Sequence, residues 1–400
     1  MNQFKKLIIA GAVLSQILVL SACQKMEVPM ESDSDSEFQS ETDSKEESER
    51  ETETDIATET ESGVESETET ESESEIIDLH EYDFTICYAG DVRLDDAAYT
   101  TERLKNSKNG VYDCISPELL AIMQDADIMC LNNEFTFSTN GKPLNGKKYT
   151  FRGDPERVSV LIEMGVDVVS LANNHVYDYG EQSMLDTFST LEGAGIEYFG
   201  AGKTLEEAMR PVYYEIDGKT IALVGASRAE KNKMTPQATE DSPGILRCYD
   251  TELFLEVIKE ADANADFVIA YVHWGTEYST VLEDAQLTTG KEYLDAGADA
   301  IIGAHSHCLQ GMEYYNGKPI VYGLGNYWFN KKSTDAMLVQ LHFSGNDEGG
   351  SLEVEVIPAI QRDAQTLIVT EEEEKERIFD FLEDISINVE IDENGIMREK

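Results

Sequence analysis

Five short apolar runs in this chain stop on polar residues that can ligate or carry a proton, and this pattern constrains the fold most. Phe84-Thr85-Ile86-Cys87-Tyr88-Ala89 ends in Gly90-Asp91, and Ile128 to Leu131 ends in Asn132-Asn133-Glu134. Val166 to Leu171 leads to Asn173-Asn174-His175. Phe267 to Val272 ends in His273-Trp274-Gly275, and Ala300 to Gly303 leads to His305-Ser306-His307. Continuous apolar runs of this length read as strands buried on both faces. Helix signals lie between them. Ser116-Pro117-Glu118 and Asp154-Pro155-Glu156-Arg157 each place a capping residue before proline in the first turn. Further helices are expected from Glu181 to Glu192, closed by Gly193, and from Thr251 to Ala263, with another strand from Thr220 to Val224. Such alternation implies a layered α/β domain. In open α/β sheets ligands bind beyond the carboxyl ends of the strands, so the five clusters are expected to converge.

The later part is richer in strands: Ile320 to Tyr322, Ala336 to Phe343, and Leu352 to Ile357, the last stopped by Pro358. Two sheets packed on each other with helices outside would accommodate them. A final helix is expected from Glu371 to Ile385. The domain is placed at residues 82–360, with 361–400 as a helical extension.

The front of the chain has a different character. Lys5 and Lys6 precede an apolar run from Leu7 to Leu20, of signal-peptide length. Leu20-Ser21-Ala22-Cys23 resembles a bacterial lipobox, in which Cys23 would be acylated and become the mature N-terminus; the alternative is an ordinary secretory signal or an uncleaved anchor. Residues 24–81 follow as an acidic Ser/Thr/Glu-rich linker. Twenty of the 80 acidic residues fall between Glu31 and Glu75, against only Lys45 and Arg50. A segment this charged cannot bury enough surface to offset its ordering entropy, so it is read as a solvated tether. The whole chain carries a net charge of −49, which excludes nucleic acid as a natural partner. An anionic polymer would need intervening cations. The expected place is the cell membrane, lipid-anchored, on its extracytoplasmic face. The six cysteines form no C-x-x-C pair, and Cys87 and Cys130 read as small buried hydrophobes.

Four of the six histidines lie in the strand-end clusters; His80 and His342 fall outside. Imidazole together with carboxylate suits a divalent transition metal such as Mn, Zn or Fe. The candidate ligands are Asp91, Glu134, Asn174, His273, His305 and His307. Smaller candidates remain two-sided. Asp178 either orients His175 or caps the helix near Gly180. Glu277 either supports His273 or is a loop carboxylate. Trp274 and Tyr278 either line the cleft or pack. Asn326 either faces the site or serves a turn. Cys308 is expected to point away from the chemistry.

Gly303-Ala304-His305-Ser306-His307 resembles the Gly-His-x-His ending of calcineurin-like metallophosphoesterases, with one residue inserted, and Asn173-Asn174-His175 resembles their Gly-Asn-His motif. The full series is closer still to the CapA family of poly-γ-glutamate capsule synthesis proteins. The matching stretches are Ala89-Gly90-Asp91-Val92, Asn132-Asn133-Glu134, Leu171 to His175 with Asp178 and Gly180, His273 to Tyr278, Gly303 to His307 with Gln310, and Tyr322 to Asn326. The resemblance implies a metallophosphoesterase-like four-layer α/β/β/α sandwich with one or two metal ions. By position, Asp91 and His307 would hold one metal, and Asn174, His273 and His305 the other, with Glu134 between. His175 would be a second-sphere acid near the substrate oxyanion or leaving group, and Asp178 and Arg93 are the further catalytic candidates. Position 93 is Arg where the phosphoesterases' first motif, Asp-x-His, has histidine, which removes a ligand and brings in a cation suited to a carboxylate or phosphate. The implied function is participation in poly-γ-glutamate synthesis or export beside membrane synthase and export subunits. The alternatives are a metal-dependent hydrolase of another envelope phosphoester or peptide, and a polymer-binding accessory subunit without catalysis.

Overall fold

A computed structural model describes residues 80–229 and 234–400. The expected signal segment, the acylated Cys23 and the tether lie outside the described residues. In the first half, β1 (Tyr82–Val92), β2 (Ile128–Asn133), β3 (Val168–Ser170) and β4 (Glu197–Phe199) alternate with α1 (Tyr99–Asn106), α2 (Pro117–Asp125), α3 (Val158–Glu163) and α4 (Glu181–Ala194). Next come α5 (Leu205–Met209), β5 (Val212–Ile216), β6 (Lys219–Ser227), α6 (Glu252–Asp262), β7 (Phe267–His273), α7 (Asp284–Asp295), β8 (Ala300–Ala304), β9 (Met312–Tyr315) and β10 (Lys318–Val321). The chain then returns through β11 (Asn326–Trp328), β12 (Thr334–Asn346), β13 (Gly349–Arg362) and β14 (Gln365–Ile368). It ends with α8 (Glu372–Asp384), β15 (Val389–Ile391) and β16 (Ile396–Glu399).

The larger sheet has ten strands in the order β15-β16-β13-β12-β1-β2-β3-β4, with β11 beside β1 and β14 beside β13. The smaller has six in the order β9-β10-β8-β7-β6-β5. Side-chain alternation assigns the faces. Phe84, Ile86 and Tyr88 of β1 share one core with Ile221 and Leu223 of β6, Ile269 and Tyr271 of β7, and Ile302 of β8. Cys87 and Ala89, the alternate residues of β1, instead join Leu119, Leu161, Met184 and Phe188 from the helices over the larger sheet. Ala270 and Val272 of β7 pack under Phe254 and Tyr293 of α6 and α7. The layers therefore run helix, sheet, sheet, helix, the expected α/β/β/α sandwich. The inter-sheet layer closes on aromatics: Phe84 stacks on Phe343 with centroids 4.9 Å apart, and Phe267 reaches Phe343 at 4.7 Å. Such pairs contribute about 1 kcal/mol each beyond their buried area.

The parallel strands β1, β2 and β3 of one sheet, and β7 and β8 of the other, end on the site. The pairing of β1 with β2 slips between Ala89 and Asp91. Gly90 occupies the slip because a Cβ there would stand 2.1 Å from the Gly325 carbonyl oxygen.

Three local expectations change. The helix from Glu181 runs through Gly193 and ends at Gly195, whose φ of 72° supplies the left-handed turn that Gly193 does not. Pro358 does not stop its strand, since β13 continues to Arg362. Its carbonyl accepts from Val369, so its missing N–H faces the gap between β16, paired at Val354–Glu355, and β14, paired from Ala359 onward. Residues 361–400, expected as a helical extension, supply β14, β15 and β16 to the larger sheet, and Ile378, Phe379 and Leu382 of α8 enter the inter-sheet core. Among the described residues, no helix is long and apolar enough to cross a membrane.

Candidate metal centre

Seven side chains from five strand ends meet in a largely buried space. Asp91, Glu134 and His273 are fully buried, and Asn174, His175, His305 and His307 nearly so. The residues around them hold this geometry. Asn132, at the end of β2, donates from Nδ2 to Asp91 Oδ1 at 2.7 Å. The same nitrogen lies 3.3 Å from both Glu134 Oε2 and His273 Nδ1. Asn173 donates to Asn132 Oδ1 at 2.9 Å and to the Asn133 carbonyl at 3.0 Å, and its own Oδ1 accepts the His175 backbone N–H at 3.0 Å. Two asparagines therefore tie the ends of β1, β2 and β3 together.

The donor atoms fall into two groups. His273 Nε2 lies 2.8 Å from Asn174 Oδ1 and 3.1 Å from His305 Nδ1. His307 Nδ1 lies 3.0 Å from Asp91 Oδ2 and 3.0 Å from Asn326 Oδ1. Glu134 stands between them. One set of ligand atoms, from Glu134, His273 and His305, lies within 4.8 Å of one another, as does a second, from Asp91, Glu134 and His307. His305 and His307 both adopt positive φ, 91° and 54°, a conformation that costs a non-glycine residue free energy and concentrates at functional sites.

Glu134 Oε1 is buried without any hydrogen-bond partner. His175 Nε2, His273 Nε2 and His307 Nε2 surround it at 3.8, 3.9 and 3.8 Å, too far for hydrogen bonds. Burial, reinforced by the charges of Asp91 and Glu277, pushes the Glu134 carboxyl well above the usual carboxylate range. Burial with neighbouring imidazoles pushes His273 well down, and His305 down to about 3. Neutral imidazoles around an orphaned carboxylate oxygen are the state in which nitrogen and oxygen lone pairs are free to bind a cation. The donor set fits a divalent metal.

His175 is held differently. Its Nδ1 donates to Asp178 Oδ2 at 2.7 Å, and that oxygen also accepts the Phe151 N–H at 2.7 Å. Gly180 begins α4 with no side-chain cap, so Asp178 orients His175 and does not cap the helix. Burial lowers the His175 pKa, and Asp178 partly opposes this. Lys147 lies 2.8 Å from Asp178 Oδ1 and donates to the Asn174 carbonyl, which fixes both partners. Arg93 does not touch the ligand groups. It pairs with Asp95, and its guanidinium lies 3.7 Å from the Phe151 ring centre, whose ring stacks on His175 at 4.1 Å. Glu277 is exposed and makes no hydrogen bond to His273; Asn132 has that place. Trp274 is buried and donates to the Tyr322 carbonyl at 2.9 Å, so it packs. Tyr278 is exposed with its ring 5.6 Å from His307, so it lines the mouth. Asn326 faces the site through His307. Cys308 makes no contact with the ligands, and its carbonyl accepts from Ser306.

Sequence reasoning gave no role to Asn132, Asn173, Lys147 or Phe151. The two asparagines sat in the quoted motifs, where their amides signalled hydrogen bonding as much as ligation. Lys147 lies in a polar loop with no local pattern to mark it.

A family model described as "Bacterial capsule synthesis protein PGA_cap" matches residues 85–331. The "PGA biosynthesis protein CapA" of Bacillus subtilis (strain 168) is 36% identical over 221 residues, covering 54% of this chain and 57% of that protein. The "Capsule biosynthesis protein CapA" of Bacillus anthracis is 33% identical over 230 residues, covering 56% and 55%. The "Probable polyglutamine synthesis accessory protein Rv0574c" of Mycobacterium tuberculosis (strain ATCC 25618 / H37Rv) is 31% identical over 219 residues, covering 52% and 58%. The chain thus spans a little over half the length of each relative. The family match takes in every strand end of the site, from Asp91 to Asn326, and the chain belongs to the bacterial capsule synthesis protein family PGA_cap.

Proposed function

We propose that this chain is a surface-anchored CapA-type protein that takes part in poly-γ-glutamate capsule synthesis or export through the cleft at its strand ends. The observation that carries the reading is the meeting of two buried ligand groups at Glu134 in a member of a capsule synthesis family. Glu134, His273 and His305, with Asn174, would hold one divalent cation, and Asp91, Glu134 and His307 a second; Mn, Zn and Fe all suit the donors. When bound, such cations polarise a substrate oxygen and acidify a water molecule. The rest falls to this chain's own side chains. Glu134 balances charge at both positions. Asp178 fixes the His175 ring so that Nε2, on the Glu134 side, faces the reacting group. With its Nδ1–H held by Asp178, His175 Nε2 takes a proton from a water that attacks the amide carbon or phosphorus, and returns that proton to the leaving amine or oxygen as the old bond breaks. Arg93, which lies over the Phe151 ring and pairs with Asp95, would receive a substrate carboxylate. An acylated Cys23 would hold the domain on the outer face of the membrane, next to synthase or export subunits.

A second reading, a polymer-handling subunit without turnover, is favoured by Arg93, since the Asp91 position lacks the histidine that the phosphoesterase motif supplies. The purified protein, loaded with Mn²⁺ or Zn²⁺ and mixed with poly-γ-glutamate, tests both. Shortening or transfer of the polymer, lost in His175→Ala, supports catalysis, and tight binding without turnover supports the accessory reading. Turnover of phosphoesters with no effect on the polymer contradicts the capsule role.

A further inference from the structure

The residues that follow β11 join the metal centre to a cleft that the proposed chemistry does not use. The cleft has a volume of about 830 Å³ and lies between α1, the short turn at Gly110–Asp113 and the β13–β14 connection. Tyr99 and Tyr112 stand half-exposed in its walls. Arg103, Lys108 and Lys331 line it together with the carboxylates of Glu102, Asp113 and Asp363. Asp113 is already engaged by the backbone N–H groups of Lys108 and Asn109 and by the Asn109 amide.

Arg103 is poorly satisfied. Its Nε is buried with no partner, and Nη1 makes one long bond of 3.4 Å to the Asp363 carbonyl. Lys331 Nζ rests 3.9 Å from the Tyr99 ring centre. Among the described residues, Lys331 and Lys332 form no salt bridge, and Arg103 has the Asp113 carboxylate only as an electrostatic neighbour, in a chain of net charge −49. The connection to the metal centre is direct. Phe329 packs on His307 with centroids 4.6 Å apart, and Lys332 Nζ lies 4.4 Å from the ring centre of Tyr278, itself a neighbour of His307. Successive residues 331 and 332 therefore serve the cleft and the mouth of the metal centre. Trp328, at the end of β11, donates to the Ala364 carbonyl in the cleft wall at 2.8 Å.

We infer that this cleft is a second subsite for an extended polycarboxylate, which runs from the metal centre past Lys332 and Lys331 to Arg103. Separated cations, tyrosine faces and balanced acids suit a chain that presents carboxylates at intervals along an amide backbone. A compact dianion would call for clustered cations. The inference rests on the capsule reading and extends it to a length preference. Its test is the affinity of the full-length, metal-loaded protein for a short γ-linked glutamate oligomer and for one several times longer. Wild type is expected to bind the longer oligomer more tightly, and Arg103→Gln combined with Lys331→Gln to weaken that binding roughly tenfold, the effect of one charge-assisted contact. Metal content is expected to match wild type because neither side chain is in the ligand groups, and melting temperature because Lys331 is exposed and the Arg103 Nε has no hydrogen bond to lose. A double variant that keeps the length preference, or a wild type without one, overturns the subsite while the capsule reading stands. If neither oligomer binds wild type, the capsule reading fails and the subsite with it.

Discussion

A carboxylate oxygen without a donor, sealed among three imidazoles, is unfavourable in a protein with nothing bound, and Glu134 is in that position. Removing that oxygen should separate two effects. Glu134→Gln is expected to remove bound metal while leaving the melting temperature of the metal-free protein unchanged or higher, because a neutral amide replaces a carboxyl whose charge burial disfavours. A variant that keeps its metal, or that melts lower only when metal-free, contradicts the role. Asp178 yields a second prediction. As an acceptor it fixes the proton on His175 Nδ1, so the nitrogen chemical shifts of that imidazole should report the Nδ1–H tautomer in wild type and a changed state in Asp178→Asn. The site residues were legible because their types are chemically narrow: histidine and carboxylate at strand ends have few bland explanations. The supporting asparagines and Lys147 were not, because an amide or a loop lysine acquires its role only through partners distant in sequence, 41 residues away for Asn132 and Asp91. His342, outside the site, gives a pH prediction. Its hydrogen bond to Glu355 raises its pKa, so its stabilising effect is full below the unfolded value of about 6.5 and fades as pH rises through the folded value. His342→Gln should therefore lower the melting temperature more at pH 5.5 than at pH 8.5.

At the scale of elements, the apolar runs located the central strands because a strand buried on both faces leaves no other reading of its sequence. The ends were less legible. Gly193 and Gly195 are equally good helix stops in a one-dimensional pattern, and only the backbone turn at Gly195 separates them. Pro358 looked like a terminator because the gap between β14 and β16, which tolerates its missing N–H, is built from residues that follow it in the chain. Gly90 shows how local backbone and site depend on each other. Gly90→Ala would drive a methyl group into the Gly325 carbonyl, at 2.1 Å before relaxation. The expected cost is about 3 kcal/mol, read by chemical denaturation, with reduced metal content because Asp91 adjoins the displaced backbone. A neutral effect would show that β1 and the Gly325 turn do not approach so closely.

On the scale of the whole molecule, two sheets bring together strand ends that the sequence separates by more than two hundred residues, and the site exists only because both are in place. Hydrophobic patterning implied that two-layer core, whereas the enrolment of residues 361–400 in the larger sheet did not show, since short edge strands such as Val389–Ile391 carry little periodicity. Outside the described residues, the proposed acylation of Cys23 is testable by fractionation: Cys23→Ala should lose stable membrane association, and a variant still wholly in the membrane fraction contradicts the lipid anchor. A cation linking both sheets should stabilise the fold, so chelation is expected to lower the melting temperature reversibly. The most direct measurement is elemental analysis of the purified protein beside His305→Ala/His307→Ala, with circular dichroism to show that both are folded. The account predicts one or two equivalents of transition metal in wild type and loss of metal in the folded double variant. Unchanged metal content in that variant would contradict it.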